Sequence, residues 1–540
     1  MKRHDVLILG GGLAGASAAR VAHQAGADVA IVSKLSPLRS HTVAAAGGIN
    51  AALAAGDTWE GHAFDTIKGS DFLADQDSVE ILCREAPNLI VEMDHLGTPF
   101  SRDESGTLFN RPFGGMRQAR AFFAGDRTGL ALMQTAWEQL VKAGVTLYEE
   151  WAATSLIVEN GRFSGLIAYR IADGTLEEFQ GKAVVVCTGP GGQMYLKSTN
   201  AVTCTGDGTA LAFRAGCALK DMEFVQFHPT SLHGPNILIT EAARGEGGIL
   251  KNAKGERFME KYSPKMVDLA PRDIVSRSIQ TEANEGRAFP GGYVHLDLTH
   301  LGAARIKERL PEVYQFSTEF AGVDPGKEPI PIEPAQHYIM GGIATNNAGA
   351  TNVPGIFAAG ECACVSLHGA NRLGGNALLE CIAFGKHAGA AAAAFAKKTA
   401  QIAGGEQILQ QEDRRVDWLL KTEGGERVEA LRLELKQVMW DNVGVFRNEQ
   451  DMAAALAAVR ALRKRYPSIR VGAPGKQFNY ALIEAMELRN LLDLSEVIVM
   501  PNRDDPNWLK HTLAWWRGDR IELTYEPVRI TQWQPQERTY

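Results

Sequence analysis

The stretch that most limits how this chain can fold is Asp5–Ser33. Asp5-Val6-Leu7-Ile8-Leu9 is a short apolar run of the kind found in a parallel strand buried on both faces. It passes at once into Gly10-Gly11-Gly12-Leu13-Ala14-Gly15, then into an alanine-rich helical segment ending at Gly26, then into a second apolar run, Asp28–Ser33. Strand, GxGxxG turn and helix within about 30 residues form the dinucleotide fingerprint. The glycines permit a tight turn and close backbone approach, so that the helix N-terminus can hold a pyrophosphate. One feature departs from the general pattern: the second strand ends in Ser33-Lys34 rather than in an acid for the ribose hydroxyls. Ser33 can still hydrogen-bond a ribose, and Lys34 is expected to face a phosphate or solvent.

Two later stretches read as returns to the same sheet. Ala183-Val184-Val185-Val186-Cys187-Thr188-Gly189 is a buried strand entering a glycine turn, and Gly355-Ile356-Phe357-Ala358-Ala359-Gly360-Glu361 is another that ends in an acid. Sheet segments so far apart imply a discontinuous domain with an insertion. The expected fold is therefore an α/β FAD-binding domain, Rossmann-like and of the two-dinucleotide-binding type, over 1–228 plus 337–400, with Glu361 placed to meet a ribityl hydroxyl. An α+β capping domain is expected over 229–336, a helical bundle over 401–495, and a small C-terminal segment over 496–540. The bundle rests on helical spacing in Val428–Trp440, Asp451–Tyr466 and Gln477–Leu494, the first carrying Val428, Leu431, Leu433, Leu435, Val438 and Met439. Arg520-Ile521-Glu522-Leu523-Thr524-Tyr525 alternates as a terminal strand.

Composition excludes several classes. A chain of 540 residues exceeds one simple core. Its formal charge of −7 provides no cationic face for nucleic acid, so an anionic substrate needs a local cationic pocket. The seven cysteines (83, 187, 204, 217, 362, 364 and 381) contain no CxxC pair, so no metal is expected and any iron–sulfur cluster belongs to another chain. No leader pattern precedes Asp5, and no run of about 18 apolar residues occurs. The nearest, Ala388–Ala396, is short and ends in Lys397-Lys398. A membrane would be reached only through a partner.

Several segments carry chemistry. His41 lies in Arg39-Ser40-His41-Thr42-Val43-Ala44-Ala45-Ala46-Gly47-Gly48-Ile49, where a flavin ring is expected, although a histidine in such a loop is commonly just a satisfied polar residue. His228, Thr240, His337 and Arg372 are hydrogen-bond donors from four separate segments, and Arg372 can hold a carboxylate through two parallel bonds. That set suits a small dianion such as a dicarboxylate.

The chain resembles the succinate dehydrogenase and fumarate reductase flavoprotein family in the Arg39–Ile49 segment and in the following motifs, in order. They begin with Asp65-Thr66-Ile67-Lys68-Gly69-Ser70-Asp71 followed by Asp75-Gln76-Asp77, and with Arg111-Pro112-Phe113-Gly114-Gly115. Thr205-Gly206-Asp207-Gly208, Gln226-Phe227-His228-Pro229-Thr230, and Thr240-Glu241-Ala242-Ala243-Arg244-Gly245-Glu246-Gly247-Gly248 follow. Leu269-Ala270-Pro271-Arg272-Asp273, His337-Tyr338-Ile339-Met340-Gly341-Gly342, His368-Gly369-Ala370-Asn371-Arg372-Leu373-Gly374-Gly375-Asn376 and Arg503-Asp504-Asp505 with Asn507-Trp508-Leu509-Lys510-His511-Thr512 complete the set.

The resemblance implies FAD bonded covalently through His41. It implies cofactor contacts from Gly10, Gly11, Gly12, Leu13, Ala14, Gly15, Ser33, Lys34, Ser40, Thr42, Gly47, Gly48, Thr188, Gly189, Asp207, Glu361, Arg372, Asn376, Ala377 and Leu378. By the same resemblance His228, Thr240, Glu241, His337 and Arg372 hold the substrate, with Phe113 lining its pocket. Arg272 is the proton donor or acceptor, and Glu241 and Arg244 pass the proton outward. The implied reaction is oxidation of succinate to fumarate, with electrons leaving through an iron–sulfur subunit and a membrane anchor at the inner face of a bacterial cytoplasmic membrane. Fumarate reduction is the same chemistry reversed. L-aspartate oxidase shares most motifs without the histidyl bond, and a non-catalytic FAD-binding scaffold is the alternative outside enzymology. The chain departs from the family at Ala46, where a glutamine is usual, at Ala377 for a serine and at Ala243 for a frequent cysteine. It also lacks a Ser-Arg-Gly-Ala-His type segment before Arg503.

Overall fold

A computed structural model describes residues 2–501, 507–518 and 520–538. At its centre is a parallel sheet in which Lys2–Leu9 lies between Val29–Ser33 and Leu176–Val186, with Thr146–Glu149 outside Val29–Ser33. The strand Leu176–Val186 divides its other edge. Leu176–Gln180 pairs antiparallel with Arg162–Arg170, whereas Val184–Val186 pairs parallel with Ile356–Ala358. Both anticipated returns therefore join the first strand's sheet; Ser33 ends one parallel strand and Gly10, Cys187 and Gly360 follow the carboxyl ends of the others, where such sheets bind ligands.

Helix Leu13–Gln24 covers this sheet and packs along the 23-residue helix Asn376–Lys398. The two backbones meet through small residues: a Cβ on Gly385 would stand 2.6 Å from Ala14 O, and one on Gly389 2.3 Å from Ala18 O. Ala388, Ala392, Ala393 and Ala396 are buried in the same contact, which accounts for the alanine-rich run. Among the described residues no helix is long and apolar enough to cross a membrane.

A second layer is an antiparallel sheet ordered Val225–Leu232, Ile330–Ile339, Val294–Asp297, Ile249–Lys251. Its first two strands, Val225–Leu232 and Ile330–Ile339, run across positions 229 and 336. One edge carries His228 and the neighbouring strand carries His337, and helix Arg272–Asn284 packs on Val225–Leu232.

The C-terminal bundle holds four helices: Glu406–Lys421, Val428–Asn442, Glu449–Arg465 and Tyr480–Val499. The first was not legible in the sequence, because only Glu412, Val416 and Leu419 of its sixteen residues are buried. In Val428–Asn442 the buried stripe is Val428, Leu431, Leu435 and Met439. Leu433 falls off the i, i+3, i+4 spacing and is 57% exposed, contrary to its expected place on the apolar face. Tyr480–Val499 is buried nearly throughout, and its polar side chains are paired: Arg214 donates to Asp493 and Asn490, and Arg460 to Glu496. Arg503-Asp504-Asp505-Pro506, where the family segment is missing, lies outside the described residues.

The terminal strand Ile521–Pro527 forms a hairpin with Lys510–Trp516, which extends a sheet through Leu219–Lys220. Buried His511 locks this hairpin down. Its Nδ1 lies 2.7 Å from Asp221 Oδ2 and its Nε2 3.0 Å from Asp75 Oδ1. Asp75 also accepts from Arg529 N–H and faces Lys220. Burial alone would lower the His511 imidazole, but the Asp221 charge and the bonds to both aspartates push it up to about 9. A group raised from an ordinary value of about 6.5 contributes fully below that pH, and its contribution disappears as pH rises through about 9. The melting temperature of the wild type is therefore expected to fall more steeply than that of His511→Gln between about pH 7 and pH 10. Parallel pH slopes in the two proteins would show that no charged histidine holds the hairpin.

Candidate active site

The glycine turn is built by close approach. Gly10 has φ +107°, and a Cβ on it would lie 2.4 Å from Cys187 O. A Cβ on Gly15 would lie 2.0 Å from Gly10 O, so only glycine lets helix Leu13–Gln24 rise directly from the strand end. Thr42 Oγ1 accepts from Leu13 N–H at 3.2 Å, tying the His41 segment to the start of that helix.

One continuous cavity reaches from this turn to the second sheet. Every site residue expected from the sequence borders it except Gly15, Asn376 and Arg244. Gly15 makes the helix contact just described. The Asn376 side chain, expected at the cofactor, is instead fully buried among Asn50, His62 and Thr66, so only neighbouring Gly375, Ala377 and Leu378 reach the cavity at that helix start. Arg244 stands behind Glu241, its Nη2 3.5 Å from Glu241 Oε1, while its Nη1 donates to Asp268 O at 2.6 Å.

Lys34, at the cavity wall, is held by protein partners: its ammonium donates to Asp207 and Glu487, each at 2.6 Å, and to Thr205 Oγ1 at 3.1 Å. Glu487 belongs to helix Tyr480–Val499, so the C-terminal bundle is fastened to the end of the second strand.

The cavity walls fit an FAD. The glycines leave bare backbone at the helix start, and Ser40 Oγ is buried in the wall without a partner among the described residues. Glu361 accepts from Ile339 N–H at 3.1 Å, and burial pushes its carboxyl up to about 8. His41 would stand beside the ring. Burial lowers its imidazole to about 4, so it is neutral. Ala201 N–H lies 3.3 Å from its Nδ1 and Asn200 Nδ2 3.2 Å from its Nε2. Asn200 Nδ2 also donates to His337 O, which orients the amide, so both imidazole nitrogens face donors and the ring N–H has no acceptor there.

The other part of the cavity carries concentrated positive charge. Arg272, first residue of helix Arg272–Asn284, donates from Nε to Glu241 Oε2 at 2.7 Å. Glu241 Oε1 accepts from Gly114 N–H at 2.7 Å. Burial would raise the Glu241 carboxyl, but the Arg272 and Arg244 charges with these bonds hold it below the ordinary range. Arg372 lies over the Tyr338 ring, 4.3 Å from its centroid, and Tyr338 OH donates to Glu380 on the far side. Burial first, then the nearby Arg272 charge, pull the Arg372 guanidinium down to about 10.

His228 and His337 stack obliquely, ring centroids 4.8 Å apart. Burial, with the Arg272 charge among its neighbours, holds both well below their ordinary value, so they act as neutral donors. Thr230 N–H donates to His228 Nδ1 at 3.2 Å, which leaves the proton on Nε2. Phe113 closes the wall between Gly47 and Gly374. Arg272 and Arg372 thus line this part of the cavity with Glu241, while Arg244 backs Glu241 from behind, an excess of guanidinium over the Glu241 carboxylate that suits an anionic ligand.

Two contributors were not singled out in the sequence. Buried Arg111 donates to Gly47 O and Gly125 O, holding the loop beyond Ala46. Gln226 lies between the two cavity arginines. Both stood inside recognised motifs, but nothing in spacing distinguished them from packing residues.

Comparison with known proteins agrees with this architecture. Residues 5–378 match the FAD binding domain model, and 432–500 with 500–540 match the fumarate reductase flavoprotein C-terminal model. The chain is 42% identical to a succinate dehydrogenase flavoprotein subunit of Rickettsia bellii, over 98% of this chain and 96% of that protein. It is 41% identical to a fumarate reductase flavoprotein subunit of Mycobacterium tuberculosis, over 100% and 99%. Among solved structures, one titled as quinol-fumarate reductase with menaquinol molecules superposes with a TM-score of 0.94 at 36% identity, covering 99% of this chain and 100% of that one. Mycobacterium smegmatis Sdh1 in complex with UQ1 superposes at 0.87 and 35%, covering 99% and 96%.

Replacement of Gly15 by alanine tests the close approach at the turn. Forcing the helix start away from the strand is expected to lower bound FAD roughly tenfold or more, equivalent to at least ~1.4 kcal/mol. The ratio of flavin to protein absorbance in the purified variant reads this directly. Full occupancy would mean that the turn tolerates a side chain.

Proposed function

The chain belongs to the succinate dehydrogenase and fumarate reductase flavoprotein family, and on that premise we propose that it is the catalytic flavoprotein subunit that oxidises succinate to fumarate. The observation that carries this reading is the single cavity joining a dinucleotide turn and a neutral His41 to a pocket lined by Arg272, Arg372 and Glu241, with Arg244 behind Glu241.

In this reading Gly10–Gly15, Ser33, Ser40, Glu361 and the start of helix Asn376–Lys398 hold FAD, and His41 bonds it covalently. FAD supplies the hydride acceptor when bound. Arg372 holds one substrate carboxylate, aided by the neutral N–H donors of His228 and His337 and by the Thr240 hydroxyl. These fixed donors orient the two methylene carbons and exclude water from them.

Arg272 takes the proton from one methylene carbon as hydride leaves the other. A guanidinium is ordinarily always protonated, so this role requires a route that removes a proton from Arg272 beforehand. Glu241, bonded at 2.7 Å to Arg272 Nε and 3.5 Å from Arg244, provides the first link of such a route. Run in reverse, the same residues protonate fumarate. In the direction of succinate oxidation, electrons pass to an iron–sulfur subunit and through a membrane anchor to quinone, with the subunit lying peripherally at the inner face of a bacterial cytoplasmic membrane.

Two variants test the reading. On a denaturing gel the wild type made with ample FAD is expected to show a flavin-fluorescent band that His41→Ala lacks. An unlabelled wild type would point to the non-covalent relatives typified by L-aspartate oxidase. Arg272→Lys is expected to keep FAD and lose turnover with succinate by ~100-fold or more, the range lost when a general acid–base group is removed. A near-normal rate in that variant would exclude Arg272 as the proton-transfer group.

A further inference from the structure

The two arginines that bracket the substrate pocket share one acceptor. Gln226 Oε1 receives Arg272 Nη1 at 3.1 Å and Arg372 Nη2 at 3.3 Å, so those two cationic nitrogens lie within the sum of those distances of each other. The other end of the amide is equally committed. Gln226 Nε2 donates to Asn371 Oδ1 at 2.7 Å and to Arg372 O at 2.8 Å. All four hydrogen-bonding positions of this buried side chain are therefore filled. Its orientation is unambiguous, because the flipped amide would set NH₂ against two guanidiniums and its oxygen against two other oxygens.

The bonds form a closed circuit between two chain segments. Asn371, which receives Gln226, donates in turn to Asp273 Oδ1 at 3.3 Å and to Gly69 O at 3.0 Å. Asp273 is the neighbour of Arg272. The start of helix Arg272–Asn284 is thus joined to the Arg372 segment through Gln226, on the same face of its strand as His228 two residues on. A register shift between Gln226 and Phe227 marks this point of the strand.

The need for such a link follows from charge. Arg272 has Glu241 as a partner, whereas Arg372 Nε is buried without one and Arg372 Nη1 reaches only Leu373 O at 3.4 Å. Two like charges this close repel, and a hydrocarbon at 226 would offer neither of them an acceptor. A carboxylate there would attract both but would cancel a positive charge that the substrate requires, and it would lose both amide donors. A neutral amide is the side chain that accepts from two cations and leaves their charge available.

We infer that Gln226 is a positioning residue that sets the distance between the carboxylate-holding Arg372 and the proton-transferring Arg272. This rests on the dicarboxylate reading above and deepens it. Gln226 thereby determines where the substrate's C–H bond lies relative to the group that takes its proton, without touching the reacting atoms.

Two near-isosteric variants in the FAD-loaded complex separate spacing from charge. Gln226→Met keeps the charge and loses the bonds. Its kcat with succinate is expected to fall about 100-fold, the effect of misplacing reacting groups by roughly 1 Å, with KM changed less than about threefold. Gln226→Glu adds one negative charge. Its KM for succinate and its inhibition constant for malonate, a non-reacting dicarboxylate, are each expected to rise about tenfold or more. FAD content and melting temperature are measured for both. An FAD-loaded Gln226→Met with kcat within about threefold of wild type, or an FAD-loaded Gln226→Glu with unchanged malonate inhibition, would overturn the inference. If both variants lose FAD, Gln226 is a folding residue and the inference is equally overturned. A wild-type complex inactive with succinate and with fumarate would instead overturn the functional reading, and this inference with it.

Discussion

Three buried guanidiniums, Arg272 and Arg372 lining the cavity with Glu241 and Arg244 behind that carboxylate, form the constraint around which the rest of the molecule is arranged. Arg244, Arg272 and Arg372 are each less than a tenth exposed, and Glu241 pairs with the first two. Unpaired buried charge is expensive, and Arg272 adds to the difficulty by standing at a helix N-terminus, where the macrodipole disfavours a cation. Fixed neutral acceptors, Gln226, Asp268 O, Ala270 O and Leu373 O, serve part of these guanidiniums, while Arg244 Nε and Nη2 and Arg372 Nε lie buried without a hydrogen-bond partner among the described residues. The residual charge is then complementary to a dianion. Burial, reinforced by the nearby guanidinium charge, keeps His228 and His337 neutral, so that they donate protons in hydrogen bonds without adding charge.

Such a pocket works only if parts from distant chain segments hold still. The second sheet brings His228 and His337 together on adjacent strands, the helix beginning at Arg272 packs behind them, and the loop carrying Arg372 leads into the long helix along the cofactor side. At the nucleotide end a different charge problem is solved in the same way. Lys34 occupies the position usual for an acid, and its ammonium is neutralised by Asp207 and by Glu487 of the C-terminal bundle. The bundle is thereby part of the cofactor side's architecture, and the terminal hairpin is fixed to the core by His511 between two aspartates.

The sequence made much of this legible. The strand–turn–helix at the N-terminus carried its own physical logic, since glycines followed by a helix start need no distant partner to be understood. The returns at Ala183 and Ile356 were visible as apolar runs ending in glycine. The charged site residues stood inside recognisable motifs. What stayed hidden depended on partners far away in the chain. Lys34 looked available for a phosphate until Glu487, hundreds of residues on, claimed it. Asn376 looked like a cofactor contact, but Asn50, His62 and Thr66 surround it. Leu433 counted as core by composition while helical geometry turned it outward.

Local backbone preference and apolar patterning are properties of neighbouring residues, so the sequence by itself determined the dinucleotide turn, the class of fold and the segments that bear the chemistry. Whether a polar side chain is free to meet a ligand depends on which other polar groups reach it first, and that is a property of the closed structure. Gln226 shows the difference. In the chain it is one residue ahead of a phenylalanine and a histidine, and only folding places two guanidiniums, Asn371 and the Arg372 carbonyl around its amide, because like charges buried together must share a neutral acceptor.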